Sequence, residues 1–190
     1  MKAQARILGV DDAPFRFGDD LVPVIGVVVR SPSYVEAVLT TKVHVDGRDA
    51  TEVLANTIGG SRYREGLSLV LIDGAALGGF NVVDIDALHR SLRVPVATVT
   101  RDRPDAEAME RVLRRKFADW EARLEVLRRR ELIRIQTAHK PLYANAAGVE
   151  PHDLEEAIRR CTVRGALPEP VRVAHLIGTA IVKGESKGNA

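Results

Sequence analysis

Three apolar segments open the chain, at residues 5–10, 21–29 and 35–45. Turn-rich sequences at 11–20 and 31–33, each containing a proline, separate them. Segments rich in valine, isoleucine and leucine between such turns are typical of β-strands. We therefore expect three strands, with the second and third lying as antiparallel neighbours of the first.

A fourth strand is predicted at 68–72, where every residue from Leu69 onward is apolar. A strand without polar alternation is typically covered on both faces, as in the middle of an α/β sheet. A helical pattern follows at 82–92 and another apolar strand at 94–99. A strand, a helix and a strand of these lengths form a βαβ unit, so these two strands are expected to run parallel.

Apolar residues at helical spacing predict the remaining helices. The expected ranges are 50–58, 104–130 with a break near Asp119, 151–160 and 171–182. Asp49 and Glu52 have the spacing of a capping box at the start of the first of these helices. The two prolines at 167–170 predict a rigid extended stretch before the last helix. Residues 131–136 and 140–144 are expected to form a short hairpin.

The order of these elements indicates the fold class. Three strands, a helix and a βαβ unit predict an α/β protein with a ribonuclease H-like fold, in which helices flank a mixed central sheet. With 190 residues, the chain is long enough for one domain with a substantial core. We expect a single domain over 1–183 and a flexible polar tail over 184–190.

Composition narrows the functional class. No apolar run approaches the roughly 20 residues that a membrane-spanning helix needs, and the amino terminus has no apolar signal region. We therefore expect a soluble, cytoplasmic protein without a membrane partner. Cys161 is the only cysteine, which excludes an intramolecular disulfide and a thiolate zinc cluster.

The charge is small in total but uneven along the chain. The formal net charge is +2, whereas basic residues cluster at 114–116, 128–130 and 159–160. Such clusters either contact phosphate groups or form solvated helix faces. Nucleic acid, DNA or RNA, is thus a candidate partner.

Two predicted strands end in a carboxylate, the first at Asp11 and the fourth at Asp73. In one sheet these side chains can lie side by side, where their like charges are costly unless a cation lies between them. Hard oxygen ligands suit Mg²⁺ or Mn²⁺. The glycines that follow Asp73 either let a ligand approach the backbone or simply form turns.

Several segments resemble endonuclease V. The Leu-Gly-Val-Asp sequence at 8–11 is similar to its first catalytic strand, and residues 70–74 and 94–99 are similar to its central and following strands. The most specific likeness lies at 160–175, where a basic, glycine-containing turn precedes Leu-Pro-Glu-Pro, an arginine, an alanine and a histidine. The similarity covers roughly residues 5 to 180.

A still closer resemblance is to an uncharacterised family related to endonuclease V. It includes the sequences Asp-Asp-Ala-Pro-Phe at 11–15 and Gly-Gly-Phe-Asn at 78–81. This resemblance implies a divalent-metal-dependent endonuclease, Mg²⁺ or Mn²⁺ being the cofactor, with a possible link to nucleic-acid repair. The alternatives are a non-catalytic module that binds nucleic acid or nucleotides, and a small nucleotide phosphoesterase.

The resemblance also implies the site residues. Asp11, Asp73, Glu52 and His175 would be catalytic, with Asp11, Asp73, Glu52 and His175 as metal ligands. Asp49 and Asp46 are rivals for the place of Glu52. Substrate-binding residues would be Arg101, which stands where the family has a lysine, together with Asp12, Gly74, Gly78, Gly79 and Arg172.

Two features of the family are altered here. The Pro-Tyr-Ile-Pro wedge that helps separate strands near a damaged base is absent before Glu52, and Asp73-Gly74 is followed by two alanines. Base flipping needs a pocket and a group that fills the gap, so we expect a retained metal site without inosine specificity. Candidate stacking aromatics near the site are Phe15, Phe17, Tyr34 and Phe80.

Overall fold

The apolar segments of the sequence form nine strands in this computed structural model, which describes residues 4–16 and 18–188. In chain order they are β1 (Arg6–Asp12), β2 (Leu21–Arg30), β3 (Tyr34–His44), β4 (Leu67–Asp73), β5 (Ala76–Leu77), β6 (Asn81–Val82), β7 (Val96–Thr100), β8 (Ile133–Ile135) and β9 (Leu142–Ala147). The strands predicted from the sequence are all present, and the short hairpin of β5 and β6 is additional.

Six α-helices connect and cover the strands. They are α1 (Ala50–Gly59), α2 (Ile85–Leu92), α3 (Ala106–Lys116), α4 (Trp120–Arg128), α5 (Pro151–Cys161) and α6 (Glu169–Lys183). A 3₁₀ turn at Arg64–Gly66 precedes β4. Within the described part of the chain, none of these helices combines the length and the apolar character that crossing a bilayer requires.

The main sheet is mixed. Its strand order is β3-β2-β1-β4-β7-β9-β8. The neighbours β1, β4 and β7 run parallel, and each of the other neighbouring pairs runs antiparallel. The βαβ prediction for the fourth and fifth strands of the sequence is therefore confirmed, as is the antiparallel arrangement of the first three strands.

Side-chain alternation along the central strands divides the core into two layers. On β1, Leu8 and Val10 face the layer that contains α1 and α2, whereas Ile7 faces the layer that contains α5 and α6. On β4, Ile72 belongs to the first layer and Leu71 to the second. The sheet is thus covered on both faces at its centre, as its unbroken apolar sequence predicts.

The starts of two helices differ from the prediction. Residue 82 belongs to β6, and α2 begins only after Asp84, whose carboxylate accepts a hydrogen bond from the Ala87 amide. Helix α6 begins at Glu169, so the expectation that Pro170 forbids helix was wrong. A proline is tolerated in the first turn, because the amide that it lacks would have no partner within the helix.

Helix α6 crosses β1 at unusually close range because Gly9 has no side chain. A Cβ atom at Gly9 would overlap the Pro170 carbonyl group and the Val171 nitrogen. Further along the same contact, a Cβ at Gly178 would lie 3.2 Å from the Ala13 Cα. The two glycines therefore let α6 lie directly on β1 along the direction of the strand.

Replacing Gly9 with alanine should destabilise the protein, because the added methyl group meets helix backbone that cannot turn aside. We expect a loss of about 1–3 kcal/mol in the free energy of unfolding, measured by urea denaturation. Gly59→Ala is the matched control, since a Cβ there meets only the Leu92 side chain at an ordinary 3.8 Å. Equal stability of the two variants would contradict the close packing of α6 on β1.

Candidate metal centre

Asp11 and Asp73 lie side by side at the carboxyl ends of parallel strands. The β1–β4 register pairs Gly9 with Leu71 and Val10 with Ile72, so the two acids follow as the next neighbours. Because side chains alternate along a strand, both carboxylates project to the face that α6 covers. The sequence predicted that the first and fourth strands would bring these two acids together, and they lie together in the structure.

His175 reaches the same place from α6. It lies one helical turn after Val171, the residue that contacts Gly9, and its Nδ1 is 2.8 Å from the Asp11 Oδ2. A carboxylate oxygen and an imidazole nitrogen at this distance share one hydrogen atom. One ligand atom from each of Asp11, Asp73 and His175 lies within 4.8 Å of the other two.

Burial makes this group of acids electrostatically costly. Asp11 is only 6% exposed, and burial, together with the charges of Asp73 and Asp12, raises its pKa to about 8. Burial also raises the pKa of Asp73, although the positive charges of Arg101 and His175 oppose the rise. A bound cation would remove the mutual repulsion of the carboxylates.

These residues fit a divalent ion. Two carboxylates supply hard oxygen atoms, which suit Mg²⁺ and Mn²⁺, and an imidazole adds a ligand that Mn²⁺ also accepts. Asp11, Asp73 and His175 are the residues that would hold it.

The three acids considered as a further ligand lie outside this group. Glu52 is exposed on α1, Asp49 is bonded to His44 and Asn81, and Asp46 accepts a hydrogen bond from the Phe80 amide. The predicted capping box was wrong, since the side chain of Asp49 makes no capping bond to α1.

The glycine-containing turn after β5 is fastened to the strand ends by two acids. Asp12 points to the other face of β1 from Asp11, and its Oδ2 accepts a hydrogen bond of 3.1 Å from the Gly78 amide. The Asp46 amide donates to the Gly78 carbonyl. Gly78 and Gly79 both have positive φ, a conformation that glycine adopts without strain. The structure thus places Asp12 beneath this turn.

The structure also locates two more of the residues that were predicted to bind substrate, Gly74 and Arg101. Gly74 directly follows Asp73, has φ +75° and donates its amide hydrogen to the Val99 carbonyl. Arg101 is exposed just beyond β7 and close enough to both ligand acids for its charge to lower their pKa values. Both residues lie at the edge of the sheet where the metal centre is found.

Arg172 is engaged within α6. Its Nε and one terminal nitrogen donate to the two carboxylate oxygens of Glu169 at 2.9 and 2.7 Å. Glu169 is itself buried. The guanidinium group therefore neutralises a buried acid in the first turn of the helix.

The candidate aromatic residues do not all lie near the centre. Phe15 is 38% exposed and faces Gly79, and the Phe80 ring packs 5.8 Å from that of Phe117. Tyr34 pairs with Arg30, which lies opposite the first residue of β1. Its expected proximity to the site was therefore wrong, since it lies at the opposite end of β1. Phe17 lies outside the described residues.

Sequence reasoning missed three residues that shape this edge of the sheet. Arg123 is buried and donates to the carbonyl oxygens of Gly47 and Phe80, and Asn81 and His44 form a network with Asp49. The contacts of Arg123 and the bond between Asn81 and Asp49 join positions 32 to 76 residues apart, so no local pattern indicates them. The one available signal was the polar Asn81 beside an apolar run.

Comparisons with known proteins relate the whole chain to one family. The sequence model of the family described as endonuclease dU matches residues 3–182. A UPF0215 protein of Methanothermobacter thermautotrophicus is 43% identical over 192 residues, which cover all of this chain and 94% of the relative.

Solved structures show the same fold. A protein of unknown function from Archaeoglobus fulgidus superimposes with a TM-score of 0.86 and 35% identity, over 95% of this chain and all of the other. Endonuclease V of Ciona intestinalis, solved with inosine-containing DNA, gives a TM-score of 0.57 at 14% identity over 90% of this chain and 83% of the other. The predicted likeness to endonuclease V and the ribonuclease H-like fold are thereby confirmed.

The elevated pKa of Asp11 predicts how stability depends on pH without metal. Its folded value of about 8 exceeds the unfolded value of 3.8, so its contribution is complete at low pH and is lost as the pH rises through about 8. Asp11→Asn should remove this slope. At pH 9 in the presence of chelator the variant should exceed wild type by a few kcal/mol, since each pKa unit corresponds to ~1.4 kcal/mol.

Urea denaturation across pH 5 to 9 measures this effect, with the exposed Asp153→Asn as control. In wild type, Mn²⁺ should raise the unfolding temperature more at pH 8.5 than at pH 6, because protons compete for Asp11. Asp11→Asn should lose that metal response. A metal response unchanged in the variant would show that the ion binds elsewhere.

Proposed function

The chain belongs to the endonuclease dU family, and on that basis we propose that it is a divalent-metal-dependent endonuclease that hydrolyses phosphodiester bonds in nucleic acid. The observation that carries the proposal is the convergence of Asp11, Asp73 and His175 at one edge of the sheet. Buried acids drawn together at a cost in stability are typical of functional sites.

When bound, a divalent ion would activate a water molecule and stabilise the negative charge that builds on the phosphate oxygens. Asp11 and Asp73 would supply oxygen ligands, and their strands hold both side chains rigidly in position. His175 would either complete the ligand set or accept a proton from the attacking water. The burial of Asp11 limits the access of bulk water to these groups.

Arg101 would balance the charge of the phosphate group. It is exposed at the end of β7, and its charge already acts on Asp73 and Asp11. A guanidinium group pairs well with phosphate oxygens but does not release a proton near neutral pH. Arg101 would therefore bind substrate rather than transfer a proton.

Nucleic acid is the proposed substrate because exposed basic residues lie just after the site in the chain. Arg101 and Arg103 follow β7, and Arg111 and Arg115 are exposed on α3. The name of the family refers to deoxyuridine, and the Ciona endonuclease V was solved with inosine-containing DNA. Uracil-containing DNA is thus the first substrate to test, and its cleavage would support a role in nucleic-acid repair.

Cleavage of labelled oligonucleotides tests the proposal. With Mn²⁺ or Mg²⁺, wild type should cut at least one of three substrates that contain uracil, inosine or only normal bases. Asp73→Ala should lower the rate by at least about a hundredfold, because a carboxylate ligand to the ion is removed. Gel separation of the products measures both the rate and the position of the cut.

Three other outcomes would each contradict the proposal in a different way. Cleavage that survives in Asp73→Ala would place the activity elsewhere or in a contaminant. Salt-sensitive binding without product would favour a nucleic-acid-binding module. Hydrolysis of free nucleotides but not of oligonucleotides would favour a small phosphoesterase.

Arg101→Gln should reduce kcat/KM by about tenfold or more, because a charged contact to phosphate is lost. Arg101→Lys should retain more activity than Arg101→Gln. The exposed Arg62→Gln is the matched control for the loss of one positive charge and should change kcat/KM less than about twofold, because a surface charge alone contributes little. Equal effects of Arg101→Gln and Arg62→Gln would contradict a specific role of Arg101.

A further inference from the structure

His44, Asp49 and Asn81 form a polar network at the end of β3. The His44 Nδ1 lies 2.8 Å from the Asp49 Oδ2, and the Asn81 side-chain amide donates to the Asp49 Oδ1 at 2.6 Å and to the His44 carbonyl oxygen at 2.9 Å. Asn81 is completely buried. The imidazole is therefore attached to an anchored carboxylate rather than free to rotate.

The Asp49 carboxylate binds this imidazole and does not cap helix α1. Asp49 precedes α1 and stands where a capping aspartate is expected, yet its side chain makes no bond to the helix amides. Instead, the Asn81 side-chain oxygen accepts a hydrogen bond from the Ala50 amide. The Asp49 carboxylate is thus used to position His44, and Asn81 satisfies the first amide of the helix in its place.

The network determines which imidazole nitrogen is available. Partial burial tends to raise the pKa of Asp49, but hydrogen bonds from His44 and Asn81 outweigh it and lower that pKa below the ordinary value. An ionised carboxylate only accepts hydrogen bonds, so Nδ1 must carry the hydrogen atom. Nε2 is left for a partner outside the protein, and the His44 side chain is 64% exposed.

His44 lies against the glycine turn that Asp12 fastens to the end of β1. The Gly78 amide binds Asp12, the residue after Asp11, and a Cβ at Gly78 would lie 3.4 Å from the His44 carbonyl oxygen. In the described residues, the acids near His44 do not join it in a metal-binding group. An external ligand of His44 would therefore be a group other than a metal ion, bound at the edge of the sheet where the glycine turn lies.

We propose that the Nε2 of His44 binds a phosphate group of the nucleic-acid strand, next to the bond held at the metal centre. This inference rests on the proposed function, because it assumes a nucleic acid across this edge. A phosphate fits because a ring with hydrogen on both nitrogens donates from Nε2 to an anionic oxygen while Nδ1 donates to Asp49. His44 would thus fix where the strand lies.

Binding without cleavage tests the role of His44. Fluorescence anisotropy with a labelled uracil-containing oligonucleotide, in chelator at pH 6.5, should show about three- to tenfold weaker binding by His44→Gln. His44→Arg should restore affinity, because arginine again supplies donors to phosphate. The exposed His152 on α5 provides matched controls, and neither His152→Gln nor His152→Arg should change the affinity appreciably.

Asp49→Asn should weaken binding less than His44→Gln, because the ring remains but loses its anchor. Unfolding temperatures and the Mn²⁺ response should remain those of wild type in His44→Gln, since the metal centre is intact. Tight binding by wild type that His44→Gln leaves unchanged would overturn this inference alone. Absence of oligonucleotide binding by wild type would instead overturn the proposed function. Equal gains in His44→Arg and His152→Arg would show that only general charge matters.

Discussion

The architecture of the candidate site depends on the contact between α6 and β1. At Gly9 the helix backbone occupies the space that a side chain would otherwise fill, so the position of α6 is set by backbone against backbone. Such a contact leaves little freedom for the helix to slide or rotate. One turn later it delivers His175 to Asp11, and Gly178 lets the helix continue past Ala13.

The same packing makes it energetically costly for the acids of the site to carry their negative charges. By covering the strand ends, it removes water from Asp11 and Asp73, and burial is the leading cause of the raised pKa of each. Arg101 and His175 offset part of that cost. Two carboxylates brought together away from water are costly unless a cation compensates their charge, and this cost is the physical argument for a cation at this position.

A second set of polar contacts holds the loops around the site. Arg123, from α4, bonds to the carbonyl groups of Gly47 and Phe80 and also stacks on the Phe117 ring at 4.2 Å. Asn81 joins the end of β3 to the start of α1. Because these groups are buried and paired, they fasten the glycine turn rigidly. That rigidity would let residues on both sides of the turn act on one bound strand.

The sequence by itself determined the strands and most helices, since these follow from apolar periodicity. It indicated Asp11 and Asp73 because each ends a predicted strand, and His175 through its likeness to endonuclease V. It misjudged Asp49 and Glu52, because a capping box is a local pattern whereas Asp49 is bonded to His44 and to the distant Asn81. Only the tertiary structure decided which acids meet. Side-chain proximity across 62 or 164 residues of chain depends on strand register and helix packing, which no local sequence pattern encodes.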